Sequence, residues 1–541
     1  MEETRSLYST VGIGHILCVS GFHVALVISF LLGSCSFIGL SYNKRYIVSM
    51  VGIWLYAVLT GLSTSTVRVS VMASLIMVAR MIWAEEDFWT SIALSACIIL
   101  IWRPYSLFNM GFQLSFAAVI AIGMSQIYLK KWLQEVKGIK KKLLTIIMPC
   151  LIITLITSPI IAFHYYEIPF LSSILNLCIL PLFSGIIILG WCILGIYVVS
   201  GICIWPLIKG IIVLLQSIEV LCKIIVTVPY GTICTGKPTI GLLISYYGIL
   251  LLIGLSIYGV QIKKKIGLAV GSSLILGGII SCFTMPCLQI AYLYVGQGDG
   301  SVITTPHKKV VVIDGGPIGK GKVIDQYIKY KGKRTIDAMV ISHSDSDHIG
   351  GMLELVQSNL KIKHVFISRM DASENLDNFM AACKKKQIPI HQLTAGDSFL
   401  LDHVNFDMLA PKTKQNDLNN NSLVCLVKYK KFKALFTGDK EKDSEINVYK
   451  GIAPISILKV SHHGSKTGTD DKLLLKLRPQ YAMISCGINN LYKHPHKEVL
   501  TSLKNCHIPY SRTDLQGATW ITSDGEKMNL YTQKQQKREE E

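Results

Sequence analysis

Apolar stretches of membrane-crossing length recur through the first half of this chain and constrain it more than any other feature. A bilayer core takes about 20 consecutive apolar residues to cross as a helix. Stretches of that order lie at 12–38, 46–63, 65–83, 89–102, 111–128, 143–163, 170–201, 203–228, 239–259 and 266–282. The stretch at 89–102 is short, which suits a tilted or re-entrant segment, and the one at 170–201 is long enough to bend at Pro181. Carboxylates divide the chain in the same place. Only Glu2, Glu3, Glu85, Glu86, Asp87, Glu135, Glu167 and Glu219 precede residue 284, and the other 27 of the 35 follow it. The overall 50% hydrophobic and 16% charged content is therefore the mean of an apolar half and an ordinary soluble half. A wholly soluble enzyme, a disordered protein and a disulfide scaffold are excluded. The organisation expected is a transmembrane domain over 1–283 with about nine to eleven helices, a soluble domain over 284–530, and a disordered polar tail over 531–541.

The net charge of +19 reads either as the signature of cytoplasmic loops or as a footprint for a polyanion. The basic residues cluster at Lys44/Arg45, at Lys130, Lys131, Lys137, Lys140, Lys141 and Lys142, and at Lys263, Lys264 and Lys265. If 170–201 crosses once, an even number of spans separates each cluster from the next, so all three fall on the cytoplasmic side of a multi-pass protein in the cytoplasmic membrane. The span at 266–282 then leads outward and the soluble half is expected to be extracytoplasmic. The 15 cysteines include no C-x-x-C pair, so no zinc knuckle or thioredoxin-like site is signalled. Residues 1–10 carry no signal-peptide pattern.

In the soluble half, Gln289–Tyr294, Gly300–Thr304, Lys309–Asp314, Ala338–Ser342, Cys425–Tyr429, Ala434–Thr437, Ile455–Val460 and Tyr481–Ser485 read as strands, and Gly351–Ser358 has helical character. Strands first joined by hairpins and later separated by helices point to a layered α/β sandwich. The segment Ser342-His343-Ser344-Asp345-Ser346-Asp347-His348-Ile349-Gly350-Gly351 follows a strand and precedes a helix. Two imidazoles and two carboxylates in six residues at such a strand end can converge on a cation. The nitrogen and oxygen mixture suits Zn²⁺ or Mn²⁺.

This segment resembles the H-x-[HD]-x-D-H signature of the metallo-β-lactamase fold. Phe436-Thr437-Gly438-Asp439 resembles the fold's strand-end G-D, Lys459-Val460-Ser461-His462-His463-Gly464-Ser465 its H-H-G-S loop, and His494-Pro495-His496 a final active-site loop. The resemblance implies an αββα sandwich and two divalent cations. His343 and Asp345 would bind one, Asp347, His348 and His463 the other, and Asp439 would bridge them. The histidine that often precedes the G-D strand is replaced by Asn421-Ser422, which leaves the first site thinly ligated. Two cations can activate a water and clamp a phosphoryl group, so phosphodiester hydrolysis is expected, with Asp347 and His462 as catalytic groups. His462 would be a proton shuttle or phosphate contact, or an outer-shell group. Asn421, Ser422, His494 and His496 are candidate substrate contacts.

The apolar half carries Gly14-His15-Ile16-Leu17-Cys18-Val19-Ser20-Gly21-Phe22-His23-Val24. Histidines inside a span are costly and tend to be functional, the alternative being a helix end near the interface. The string resembles the G-x-x-H-L-x-x-S-G-x-H motif of the ComEC-type competence proteins, the DNA-internalisation channels of natural transformation. Ser65-Thr66-Val67-Arg68, the loop from Arg103-Pro104 to Gly111-Phe112-Gln113-Leu114-Ser115, Leu175-Asn176-Leu177 with Pro181, and Val295-Gly296-Gln297-Gly298-Asp299 resemble further segments of that family. The likeness runs from residue 5 to about 525, and lacks the OB-like domain with which family members usually begin. It implies that His15, Ser20, His23, Arg68 and Gln113 line a DNA path. Arg68 could instead be half of a structural ion pair, and Gln113 an interhelical hydrogen bond.

The function expected is a DNA uptake channel that passes a single strand into the cytoplasm, with an extracytoplasmic metal-dependent nuclease domain degrading the other strand. The partners implied are DNA, membrane lipid, a DNA receptor, a cytoplasmic helicase and a second copy of the chain in a homodimer. No G-x-x-x-x-G-K-[ST] occurs, so energy for transport must come from a partner or from capture of the strand inside. The alternatives are a membrane-anchored metallohydrolase of a non-nucleic phosphoester and a truncated, transport-inactive homologue.

Overall fold

The structure is a computed structural model describing residues 7–8, 11–14, 21–85, 87–132, 136–201, 204–228, 231–258, 264–282, 286–442 and 448–534. The chain divides into two compact units, Met1–Cys282 and Phe283–Glu541.

The first unit is helical: α1 (Gly21–Phe37), α2 (Tyr42–Leu59), α3 (Thr64–Met81), α4 (Phe88–Trp102), α5 (Met110–Trp132), α6 (Gly138–Tyr165), α7 (Ser172–Ser200), α8 (Trp205–Thr227), α9 (Ile240–Tyr258) and α10 (Lys264–Cys282). Each apolar stretch of the sequence falls on one of them. Four segments, Thr64–Met81, Met110–Ile127, Gly138–Tyr165 and Cys178–Ser200, are long and apolar enough to cross a membrane. The helix α7 is continuous across Pro181. At the start of α4 a polar side chain caps the helix: Asp87 Oδ2 accepts from Thr90 N at 2.8 Å.

This unit buries apolar side chains in three cores but also turns many large apolar side chains outward. Ser49, Thr66, Ser70 and Ser95 are fully enclosed, while Phe37 and Val199 are 94% and 88% exposed. Apolar side chains facing outward and hydroxyls facing inward suit a hydrocarbon surround. Between the helices, β1 (Glu167–Ile168) pairs antiparallel with β2 (Ile233–Cys234).

The second unit is an αββα sandwich. Its strands are β3 (Leu288–Tyr292), β4 (Gly300–Thr304), β5 (Val310–Gly315), β6 (Thr335–Ile336), β7 (Ala338–Val340), β8 (Lys361–Ile362), β9 (Val365–Ser368), β10 (Ile390–Leu393), β11 (Ser398–Leu401), β12 (Val404–Ala410), β13 (Val424–Tyr429), β14 (Phe432–Phe436), β15 (Ile457–Lys459), β16 (Tyr481–Ile484), β17 (Tyr510–Arg512), β18 (Thr519–Ser523) and β19 (Met528–Thr532). Its helices are α11 (Gly321–Tyr330), α12 (Ser346–Gln357), α13 (Glu374–Lys385), α14 (Asp471–Leu477), α15 (Lys497–Asn505) and α16 (Thr513–Gln516). One sheet has the order β10-β9-β7-β5-β4-β3-β18-β19, the other β11-β12-β13-β14-β15-β16-β17. The last strand, β19, extends to Thr532, past the residue where the tail was expected to begin.

Alternation explains the layers. In β4, Val302 joins a core shared with Ile324, Ile328 and Met352 of α11 and α12. Its neighbour Ile303 joins the core between the sheets, with Phe406, Val427 and Phe436. Successive strand residues point to opposite faces, and both faces are covered, so these strands read as unbroken apolar runs. A third core, around Leu435, Leu458, Leu474 and Val499, joins the second sheet to α14 and α15. The helix α12 packs backbone-to-backbone on β5: a Cβ on Gly351 would lie 2.0 Å from Gly315 O. That approach holds the segment Ser342–His348 at the end of the sheet.

Candidate metal centre

Several strand ends meet at one edge of the sandwich. His343 and Asp345 follow β7, Asp347 and His348 open α12, Asp439 follows β14, and His462 and His463 follow β15. Asp299 comes in just before β4. Gly298 permits this: at φ +141°, a Cβ there would lie 2.4 Å from Asp347 O, and Asp299 N donates to that same carbonyl at 3.2 Å. His462 and His463 both take φ near +50°, at 51° and 54°. Two consecutive non-glycine residues in that region are unusual, and they swing both imidazoles back over the sheet.

Asp299, His348, Asp439 and His463 are all buried, and each offers a ligand atom within 4.8 Å of the others. The ring orientations give this cluster a front and a back. At the front, His348 Nε2 is 3.3 Å from Asp439 Oδ1. His463 Nε2 is 3.3 Å from Asp439 Oδ2 and 3.1 Å from Asp347 Oδ2. At the back, His348 Nδ1 is 3.0 Å from Asp314 Oδ2, and His463 Nδ1 is 3.0 Å from Ser485 O and 3.3 Å from Asp299 Oδ1. Asp314 is itself held by Ser342, which donates from N at 2.8 Å and from Oγ at 2.7 Å. Asp299 forms a buried ion pair with Lys459, which is 2% exposed.

His343 and Asp345 lie beside this group. Their Nε2 and Oδ2 atoms are 3.4 Å apart, and the His343 and His348 ring centroids are 4.1 Å apart. Asp371 is close by, accepting from Ser344 Oγ at 2.7 Å. Four enclosed atoms, His343 Nε2, His348 Nε2, Asp299 Oδ1 and Asp439 Oδ1, lie 3.3–3.4 Å from their neighbours in this cluster and make no well-formed hydrogen bond among the described residues. Buried polar atoms are rarely left so. Imidazole nitrogens and carboxylate oxygens that converge in this way are the donor set of a divalent cation, so the residues present fit one.

Electrostatics sharpen the picture. Burial alone would lower the His348 and His463 imidazoles, but Asp439, with Asp314 beside His348 and Asp299 beside His463, outweighs it and holds both well above their usual values. Burial would raise Asp439, yet His463 and His348 hold it well below the carboxylate range. Burial would likewise raise Asp299, and Lys459 and His463 bring it down to about 2. The pocket is therefore built to contain positive charge.

The remaining expected residues take distinct places. His462 Nε2 is 3.8 Å from Asp439 Oδ2, and the side chain is 25% exposed, so it stands at the mouth. The His494 ring is 5.7 Å from that of His462 and 4.8 Å from that of His496. Ser422 Oγ accepts from Asp439 N at 3.4 Å and so helps to place the backbone that carries this carboxylate. Asn421 was expected to contact substrate, but its amide clamps its own loop: Oδ1 accepts from Gln415 N at 2.8 Å, and Nδ2 donates to Gln415 O at 2.9 Å and Asp417 O at 3.2 Å. Sequence reasoning assigned no role to Asp299, Asp314 or Lys459. The strings Gly298-Asp299 and Asp314-Gly315-Gly316 were the available signals.

In the helical unit, His15 and Ser20 lie outside the described residues. Arg68 is 5% exposed. Its guanidinium is 5.6 Å from the Phe116 ring centroid and its Nη1 is 3.8 Å from Met72 Sδ. Among the described residues it has no carboxylate partner. A Cβ on Gly21 would lie 3.0 Å from Arg68 Nη2, so the start of α1 lies against this cation. The His23 ring meets Phe183 edge-on at 5.4 Å. Gln113 Oε1 is 2.8 Å from His164 Nε2, and Gln113 Nε2 donates to Leu107 O at 3.0 Å, which is the interhelical hydrogen bond weighed from the sequence. His164 was not anticipated.

An αββα sandwich with a histidine–aspartate cluster at its strand ends, on one chain with a helical membrane domain, defines a membrane protein carrying a metal-dependent hydrolase fold. Residues 293–488 match the metallo-beta-lactamase superfamily and residues 1–259 match the competence protein family. The chain thus joins a competence domain to a metallo-beta-lactamase domain, and competence-protein relatives are similar to it across both. It is 28% identical over 550 residues to ComE operon protein 3 of Bacillus subtilis (strain 168), covering 95% of this chain and 68% of that protein. It is 24% identical over 535 residues to competence protein ComA of Neisseria gonorrhoeae, covering 94% and 71%. Among solved structures, the metallo-beta-lactamase fold protein YhfI of Bacillus subtilis matches with a TM-score of 0.30 and 11% identity, over 41% of this chain and 95% of that one.

Proposed function

We propose that this protein carries DNA into the cell during natural transformation. It is a multi-pass channel that admits a single strand, and its metallo-β-lactamase domain, on the extracytoplasmic side, hydrolyses the strand that is not transported. The observation that carries the reading is the junction, on one chain, of a competence domain with a buried histidine–carboxylate cluster whose ligand atoms are unsatisfied. The pattern of basic loops supports the orientation. A DNA receptor, a cytoplasmic helicase and a second copy of the chain are the partners this reading requires or accommodates.

In this reading Asp347, His348, Asp439 and His463 would hold one divalent cation, and His343 and Asp345 would help to hold a second. Zn²⁺ and Mn²⁺ both suit the donors. Bound cations of this kind supply Lewis acidity toward a phosphoryl oxygen and lower the pKa of a water. The chain's own residues do the rest. Asp314 and the Ser485 carbonyl fix the two imidazoles so that Nε2 faces forward. His462 Nε2, at the mouth beside Asp439, exchanges a proton with the attacking water or the leaving oxygen. His494 and His496 line the approach of the phosphate. In the helical unit, Arg68 offers the strand's phosphates a cation in a region nearly free of competing carboxylates.

The test uses the full chain in detergent with Mn²⁺ or Zn²⁺ and end-labelled single- and double-stranded DNA. Metal-dependent cleavage that His348→Ala abolishes is expected. Absence of cleavage by the wild type with either metal removes the nuclease reading. For transport, a deletion strain complemented with this chain should take up DNA, and failure to do so removes the channel reading.

A further inference from the structure

Three rings run in a row from the candidate metal centre to the surface. His463, buried against Asp347 and Asp439, is followed by His494, with centroids 6.3 Å and planes 29° apart. His494 is followed by Tyr492, 5.7 Å away at 25°. His462 and His496 meet His494 edge-on, at 76° and 84°, and so close its sides. The row ends in solvent, where Tyr492 is 66% exposed.

The turn that presents Tyr492 is braced. Asn490 Nδ2 donates to Gly487 O at 2.9 Å and to His494 O at 2.6 Å, and its Oδ1 accepts from His494 N at 2.8 Å. Gly487 N donates to Gln297 Oε1 at 3.1 Å. The backbone that presents the ring is thus ordered before any ligand arrives, which reduces the cost of stacking on it. Lys466, Lys493 and Lys497 are exposed around the row, and Lys466 N donates to His496 Nδ1 at 3.1 Å. A flat aromatic face with cations beside it is the chemistry that takes an unpaired nucleotide: the base stacks whatever its identity, and the lysines follow the backbone. In a duplex both faces of an internal base are covered by its neighbours, so only an unpaired or frayed strand can continue the row.

We propose that Tyr492 is the stacking platform for an unpaired nucleobase flanking the scissile phosphate, and that the metal centre acts preferentially on single-stranded or frayed DNA. The inference rests on the reading of this site as a DNA hydrolase. It is tested with the full chain in detergent, Mn²⁺, and a single-stranded oligonucleotide in which one abasic site is walked past the cleavage position. For the wild type, one abasic position should raise KM about tenfold, the loss expected when one stacked base is removed. Tyr492→Ala should raise KM on the intact strand by a similar factor and lose sensitivity to that position. Tyr492→Phe should retain the wild-type profile. Cleavage by the wild type with no position-dependent KM, or an unchanged profile in Tyr492→Ala, overturns the platform and leaves the nuclease reading standing. Failure to cleave any oligonucleotide overturns both. If Tyr492→Ala instead alters vesicle binding or oligomeric state and not the abasic profile, the exposed Leu491–Tyr492 turn serves lipid or a second copy, and the platform is overturned.

Discussion

Asp314 Oδ2 lies 3.0 Å from His348 Nδ1, and this contact decides which nitrogen of His348 faces the candidate metal centre. With Nδ1 held at the back, Nε2 is directed at Asp439. A carboxylate behind a ligating histidine fixes its tautomer and orientation and raises its basicity. Asp314→Asn should therefore weaken Mn²⁺ or Zn²⁺ binding by about 10–100-fold, read by competition with a chromogenic chelator. Binding as tight as in the wild type would show that Asp314 does not orient His348.

The Lys459–Asp299 pair is enclosed on both sides, with exposures of 2% and 4%. Removing one member of such a pair strands the other charge. Lys459→Met should cost about 3–5 kcal/mol, measured as a loss of thermal stability of the soluble unit. The double variant Lys459→Met/Asp299→Asn should recover much of it. A single variant as stable as the wild type would mean that Asp299 is satisfied elsewhere.

His494 is pushed down to about 4, chiefly by burial and then by the charge of His463. Its folded pKa is thus below the unfolded value of about 6.5. Between these values the unfolded chain binds the extra proton, so stability should rise with pH from about 4 to about 6.5 and level off above. In metal-free protein, His494→Gln should flatten the rise in that window. An unchanged pH profile in the variant would assign the dependence to other groups.

Arg68 is enclosed in α3 with aromatic and thioether neighbours and no carboxylate partner among the described residues. Among the described residues no structural ion pair accounts for it. Arg68→Ala should reduce transformation in a complemented deletion strain to background while the protein still reaches the membrane, and Arg68→Lys should retain a fraction. Wild-type uptake by Arg68→Ala would dismiss an essential role.

The pair Gln113–His164 joins α5 to α6. Polar contacts between membrane helices average about 0.6 kcal/mol, so a double-mutant cycle of Gln113→Leu and His164→Leu should give a coupling of that order in detergent unfolding. Zero coupling would mean that each side chain acts alone.

Fold and site were unequally legible in the sequence. The ten described helices of the first unit showed because each lies on an apolar run, and β4 showed to the residue because Gly300–Thr304 is bounded by turns. Edge strands such as β10, with two of its four side chains exposed, carry no such run and were not read. In the site, His343 to His348 stood out because six consecutive residues hold four candidate ligands. Asp299 and Lys459 did not, because 160 positions separate them and only the closure of the sandwich brings ammonium to carboxylate. For Asn421, read as a candidate substrate contact from its position in the chain, the sequence did not show that its amide engages the backbone of Gln415 and Asp417.

The short ladder between Glu167–Ile168 and Ile233–Cys234 has a consequence for topology that owes nothing to charge. Backbone groups hydrogen-bonded to each other must lie on the same face of a bilayer. The chain between them, α7 and α8, must then depart and return, crossing an even number of times in total. Two dipeptides thus act as a parity constraint on the path, and any assignment of sidedness that separates Ile168 from Ile233 breaks both of their register pairs at once, however well it distributes the lysines.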